Sequence, residues 1–264
     1  MLIGACIDTL YTQLPWEARF AAAKNDGFDC VEFWDWRKIG LEATKRRADQ
    51  AGIWISGFNG DADFSLIDPA QQADYLDYLR QSLEAAKTLG APSVTIHSNA
   101  LGEGGVVVNH YDELPDTVKL CAMYDALCKA AKLAEGYDIR LHLEALNVYT
   151  DHVGNYLKYT KTGAALVRMV NSPYLKLLYD VYHMQINEGR LCDTLSEHID
   201  CVGHIHIADA PGRHEPGTGE INYVHVLKTL DRLDYRGAVG CELFPAESNE
   251  QAVKAIMATK RAAI

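Results

Sequence analysis

Short runs of apolar and β-branched residues alternate along this chain with longer stretches of helical period, eight times over. The apolar runs fall at 2–7, 30–33, 53–57, 93–97, 139–144, 175–180, 202–208 and 238–243 and read as strands. Helices are predicted between and after them at 16–25, 41–51, 69–89, 114–134, 163–170, 194–199, 223–233 and 250–263. Alternation of this kind builds βα units around a parallel sheet, and eight units make a (β/α)₈ TIM barrel of the α/β class. The punctuation agrees. Asp68 precedes Pro69 as an N-cap before a proline at the first helical position, and Gly27, Gly52, Gly90 and Gly136 stand where helices end in a left-handed residue.

The chain has 264 residues, and barrels of this kind run to about 250 as one unit. A single domain over 1–264 is therefore expected, since no Pro/Gly/Ser-rich or single-charge stretch offers a linker. At 48% hydrophobic and 23% charged, it can bury a large core. Its net charge of −11, from 25 basic and 36 acidic residues, repels phosphate backbones and anionic membranes, and no basic patch offsets it. Nucleic acid and membrane are excluded as expected partners, which leaves a small-molecule substrate. The start lacks a basic segment ahead of an apolar one, and no run of about 18 apolar residues occurs, so a cytoplasmic location is expected. Seven cysteines without a C-x-x-C pair read as buried thiols.

Active sites of parallel barrels form at the C-terminal ends of the strands. Glu32, His97, Glu144, Asp180 and Glu242 lie at such ends, and His206 sits just before the exit of the seventh strand. The segments LHLEALN, LLYDVYH, GHIHIAD and VGCELFP each drive one polar side chain toward the mouth: Glu144, Asp180, His206 and Glu242. Three buried carboxylates in one place repel one another, so protons or a cation must relieve them. Three oxygen ligands and one imidazole suit one divalent metal ion, Mg²⁺ or Mn²⁺ with Co²⁺ as a further option, better than a structural zinc site.

In YDVYHMQINEG (179–189), GHIHIADAPGRHEPGTGEINY (203–223) and GCE (240–242), the chain resembles the hydroxypyruvate isomerase group of the xylose-isomerase-like barrel superfamily, which has ketose 3-epimerases among its relatives. The N-terminal half is similar mainly in pattern. The resemblance implies metal ligation by Glu144, Asp180, His206 and Glu242, an acid/base role for Glu144 and Glu242, and substrate contacts from His183, Arg213 and Asn147. It differs from many such isomerases in having His206 where they carry Gln, and from the epimerases in having Thr150 where they place a substrate-binding Glu.

The implied chemistry is removal of a proton α to a carbonyl, through an enediolate, and its return to the neighbouring carbon. His183 is placed to hydrogen-bond a developing oxyanion, and Arg213 offers a planar fork to a carboxylate, with a loop salt bridge as its other use. His204, one layer deeper than His206, is read as core. Glu32, Trp34, Trp36, Phe58 and His97 are read as pocket wall or barrel packing, and GTGE (217–220) as a loop with Asn222 capping the next helix. The expected activity is a sugar or sugar-acid isomerase. Rival readings are a ketose 3-epimerase, an apurinic-site endonuclease, for which the acidic balance is wrong, and a non-catalytic sugar binder. A homo-oligomer is expected from the resemblance and from the prevalence of symmetric assemblies.

Overall fold

A strand covered on both faces needs a continuous apolar run rather than an alternating one. The eight runs form eight parallel strands in the computed structural model, which describes residues 1–263. They are β1 (Leu2–Cys6), β2 (Cys30–Phe33), β3 (Trp54–Phe58), β4 (Ser93–Ile96), β5 (Arg140–Glu144), β6 (Leu175–Asp180), β7 (Val202–Ile207) and β8 (Ala238–Cys241). Pairing runs β3-β2-β1-β8-β7-β6-β5-β4. At the β3/β4 seam the barrel is held by one parallel bridge, Asn59 to Thr95, and by the Ser93 hydroxyl donating to the Ser56 carbonyl at 2.8 Å. The result is a nearly closed barrel.

The helices are α1 (Trp16–Asn25), α2 (Leu41–Ala51), α3 (Gln72–Leu89), α4 (Asp116–Tyr137), α5 (Thr160–Val170), α6 (Val181–Asn187), α7 (Leu191–His198), α8 (Tyr223–Arg232) and α9 (Asn249–Ala263). Gly27, Gly52 and Gly90 take positive φ where helices end, and Asn222 caps α8 by accepting from the His225 backbone N–H.

Several boundaries differ from expectation for local reasons. Asp68 does not cap a helix at 69. Its carboxylate accepts from the Ala70 N–H at 2.9 Å in a turn, and α3 begins only at Gln72. Gly136 stays inside α4, and the left-handed residue is Asp138, with φ 57°. The helix predicted at 194–199 is α7, set three residues earlier at its start. The short α6 was not predicted, because seven residues directly after a strand carry too little periodicity to be read. Of the cysteines, Cys6, Cys30, Cys201 and Cys241 are buried as expected, whereas Cys121 is exposed and Cys128 and Cys192 are half-buried on α4 and α7.

The lumen is polar at the level of the strand exits. Glu32 on β2 reaches His204 and His206 on β7, and since β1 and β8 lie between those strands, the contact must cross the barrel interior. Among the described residues, no helix is long and apolar enough to cross a membrane.

Candidate active site

The register of the last strands puts the candidate residues side by side. Asp180 pairs with His206 across β6 and β7, His206 pairs with Gly240 across β7 and β8, and Glu242 follows two residues on. Gly240 is needed there because a Cβ would come within 2.1 Å of Glu32 Oε1. Its absence lets the Glu32 carboxylate lie beside His206. All four candidates are at least nine-tenths buried.

Glu144, Asp180, His206 and Glu242 come together at the mouth. His206 Nδ1 lies 3.7 Å from Glu242 Oε2 and 3.9 Å from Glu144 Oε1. Asp180, His206 and Glu242 offer atoms all within 4.8 Å of one another, and so do Glu144, Asp180 and His183. The other ends of these side chains are engaged. Asp180 Oδ1 accepts from the Tyr182 and His183 N–H groups at the start of α6, at 2.7 and 3.2 Å. Glu144 Oε2 is 3.1 Å from His97 Nε2, and His97 is in turn held by Asp61 through its Nδ1 at 2.9 Å and its backbone N–H at 2.6 Å. The indole N–H of Trp34 donates to Glu242 Oε1 at 2.6 Å. Glu32 Oε1 lies 3.1 Å from His206 Nε2, an ion-pair contact that holds this nitrogen and leaves Nδ1 toward the cluster.

This arrangement suits a cation. Glu144 Oε1 and His206 Nδ1 are buried with no hydrogen-bond partner and lie 3.9 Å apart, and Glu242 Oε2, which also binds Arg213, lies 3.7 Å from the same nitrogen. Three oxygens and one imidazole nitrogen make a donor set for a hard or borderline divalent ion. Without one, the crowding shows in the proton affinities. Burial first, and then the Glu144 charge, push Asp180 up to about 7. Burial alone would lower His206, but Glu32 and Glu242 lift it to about 10. Burial raises Glu144, yet its hydrogen bond to His97 and the His206 charge hold it below the usual carboxylate range.

His183 and Asn147 act as a pair. Asn147 Oδ1 accepts from the Thr150 and Asp151 N–H groups, which fixes the amide so that its Nδ2 donates to His183 Nδ1 at 2.7 Å. The His183 proton is therefore on Nε2, 3.5 Å from Asp180 Oδ2 and 4.0 Å from Glu144 Oε1, as a donor rather than a ligand. Burial holds His183 well below its usual range, so it is neutral. Asn147 is fully buried behind it. The Arg213 guanidinium contacts Glu242, lies 4.0 Å from Asp180, and stacks over Tyr182. It also lines the cavity, so the salt bridge and the exposure to ligand coexist.

The cavity above the cluster has a volume of about 1060 Å³. Trp34 and His97 belong to its wall, but Trp36 turns away to donate to Ser82 Oγ, and Phe58 stacks on Phe33 in the barrel core. His204 is core as expected, bound to Glu32 at 2.9 Å and stacked on His142. Asp61 and His152 also line the cavity, and neither carries a strand-exit signal that sequence reasoning would register.

Residues 20–262 match the family described as xylose isomerase-like TIM barrel. The chain is 30% identical over 262 residues to the hydroxypyruvate isomerase of Escherichia coli (strain K12), covering 95% of this chain and 96% of that one. It is likewise 30% identical over 251 residues to a 2-oxo-tetronate isomerase of Cupriavidus necator, covering 92% of each. Among solved structures, an AP endonuclease of family 2 from Brucella melitensis superposes with a TM-score of 0.87 at 25% identity, over 96% of this chain and 97% of that one.

Proposed function

The chain belongs to the xylose isomerase-like TIM barrel family and is an isomerase, and we propose that it interconverts short hydroxy-keto acids by proton transfer between two glutamates. The observation that carries this reading is that Glu144, at the end of β5, and Glu242, just after β8, each reach within 4 Å of His206 Nδ1, at 3.9 and 3.7 Å. Glu144, Asp180, His206 and Glu242 would hold one divalent ion, Mn²⁺ or Mg²⁺, which polarises a carbonyl as a Lewis acid when bound. The carboxylate of Glu144 or Glu242 would take the proton α to the substrate carbonyl and keep it, and the other, already protonated and in exchange with solvent, would give its own proton to the neighbouring carbon. His183 presents Nε2–H to the oxyanion that develops, from a fixed and water-poor position. Arg213, whose Nε has no partner, receives the substrate carboxylate.

A ketose 3-epimerase would draw on the same residues, with Thr150 on the cavity wall. One experiment separates the readings. The manganese-loaded protein is screened in D₂O against short hydroxy-keto acids, pentuloses and hexuloses. Turnover of the acids with deuterium on the carbon beside the carbonyl is expected. Exclusive turnover of ketoses makes it an epimerase, and product free of deuterium removes the proton-transfer mechanism.

Two coarser expectations belong with this reading. Seven free cysteines suit a reducing compartment such as the cytoplasm. The exposed apolar side chains Val106, Val108, Tyr149, Val153 and Phe244, all in loops after β4, β5 and β8, suit a homo-oligomeric contact at the barrel mouth, which light scattering tests.

A further inference from the structure

His152 stands in the loop after β5, 6% exposed, on the wall of the cavity that also holds Glu144, His183 and Arg213. Its Nδ1 is 2.7 Å from the carbonyl oxygen of Gly105. A carbonyl only accepts, so Nδ1 carries the proton and Nε2 is a lone pair. Burial above all holds the imidazole below its usual range, which keeps it neutral. Nε2 is buried and makes no hydrogen bond.

The surroundings hold this ring in place. Gly105 has φ +79° and passes so close that a Cβ would meet His152 Cε1 at 2.6 Å, so the loop after β4 can cover the ring only with glycine there. On its other side the ring meets His183 edge-on, with centroids 5.1 Å apart. His183 lies 4.0 Å from Glu144. Along the wall the order is therefore Glu144, His183, His152, with the last one ring farther from the reacting end. A lone pair accepts only from a donor, so it has no use for a carbonyl or a carboxylate. It matches a hydroxyl.

We infer that His152 Nε2 accepts a hydrogen bond from a substrate hydroxyl on the carbon beyond the pair that exchanges the proton, and so selects a four-carbon hydroxy-keto acid over a three-carbon one. The inference rests on the isomerase reading and names the substrate class within it. A three-carbon acid has no hydroxyl beyond its reacting pair, whereas a four-carbon acid ends in one.

The test compares wild type, His152→Leu and His152→Gln, each loaded with Mn²⁺, on hydroxypyruvate and on 2-oxo-tetronate. Wild type should prefer the four-carbon acid, and in His152→Leu the ratio of kcat/KM for the four-carbon to the three-carbon acid should fall about tenfold, the scale of one hydrogen bond. His152→Gln keeps an acceptor in the side chain and should recover part of the ratio. A wild type that favours hydroxypyruvate, or a ratio unchanged in His152→Leu, overturns the inference and leaves the isomerase reading standing. A loaded wild type that turns over neither acid overturns the reading and the inference together.

Discussion

The half of the barrel built from β5 to β8 presents Glu144, Asp180, His206 and Glu242, while the half built from β1 to β4 grips the far side of three of them. Glu32 holds His206 Nε2, His97 backed by Asp61 holds Glu144 Oε2, and Trp34 holds Glu242 Oε1. Asp180 is held from its own side, by the first turn of α6. A carboxylate or an imidazole has two polar ends, and pinning one decides which atom faces the cavity. On the proposed mechanism one half supplies the reactive atoms and the other their orientation, so damage to the two halves should differ in kind and in size.

The largest effect is expected in the presenting half. Glu144→Gln and Glu242→Gln should each lower kcat by about 10² or more, because removing a positioned acid or base costs roughly 10² to 10⁴ in rate. Each variant must be assayed at saturating Mn²⁺ with its metal content measured, and full activity in a loaded variant removes that glutamate from the chemistry. In the holding half, Asp61→Asn and Glu32→Gln should cost about 10- to 100-fold in metal affinity or activity, as outer partners of metal ligands do. Titration of the apoprotein with Mn²⁺ reads this directly. An Asp61→Asn variant with wild-type affinity and rate would mean that Glu144 needs no help from β4.

This division also explains what could be read from the sequence. Glu144, Asp180, His206 and Glu242 were legible because each is a polar residue in a fixed place relative to a strand exit, a purely local signal. The eight-fold alternation was legible for the same reason. The grip is not local. Glu32 is 172 residues from His204, and Trp34 is 208 residues from Glu242, so only the closed barrel joins them. Glu32, Trp34 and His97 were visible as polar or aromatic residues near strand ends, yet nothing in the sequence says which side chain each one holds. Asp61 and His152 lie in loops, where no periodicity exists to be broken. The brief α6 escaped because seven residues directly after a strand carry too little periodicity to be read.

Trp34→Phe tests the lightest of the three grips, since it keeps the ring and removes only the indole N–H. With one hydrogen bond to a charged group lost, activity should fall about tenfold or somewhat more. Metal stoichiometry should be retained, because Glu242 Oε2 still faces the cluster. A loss as large as that of Glu242→Gln would show instead that Trp34 touches substrate.

The smallest effect is on stability, and its sign follows from the same division. In the apoprotein Asp180 is raised from its ordinary 3.8 to about 7 by burial and then by Glu144. His206 and His97 are raised from 6.5 to about 10, since Glu32 and Asp61 lead the charges that overcome burial. A group with a raised native pKa binds extra protons in the folded state, and its stabilisation is lost as pH rises through the native value. Glu32 and Glu144, held low, act in the opposite sense, but their contribution is lost only in acid below their ordinary 4.5. His142, His152 and His183, held low by burial, also act in the opposite sense, near the ordinary histidine value of 6.5. Above about pH 7.5, where they are neutral folded and unfolded alike, the raised groups dominate and the apoprotein Tm should fall with increasing pH. Ligation needs ionised Asp180 and neutral His206, so metal binding releases protons, and the rise in Tm caused by Mg²⁺ should grow over the same interval. Calorimetry with chelator and with Mg²⁺ at several pH values measures both slopes. Glu32→Gln, which removes the charge that lifts His206, should flatten the apoprotein slope. A slope unchanged by that substitution would show that the holding half does not set the protonation of the ligands.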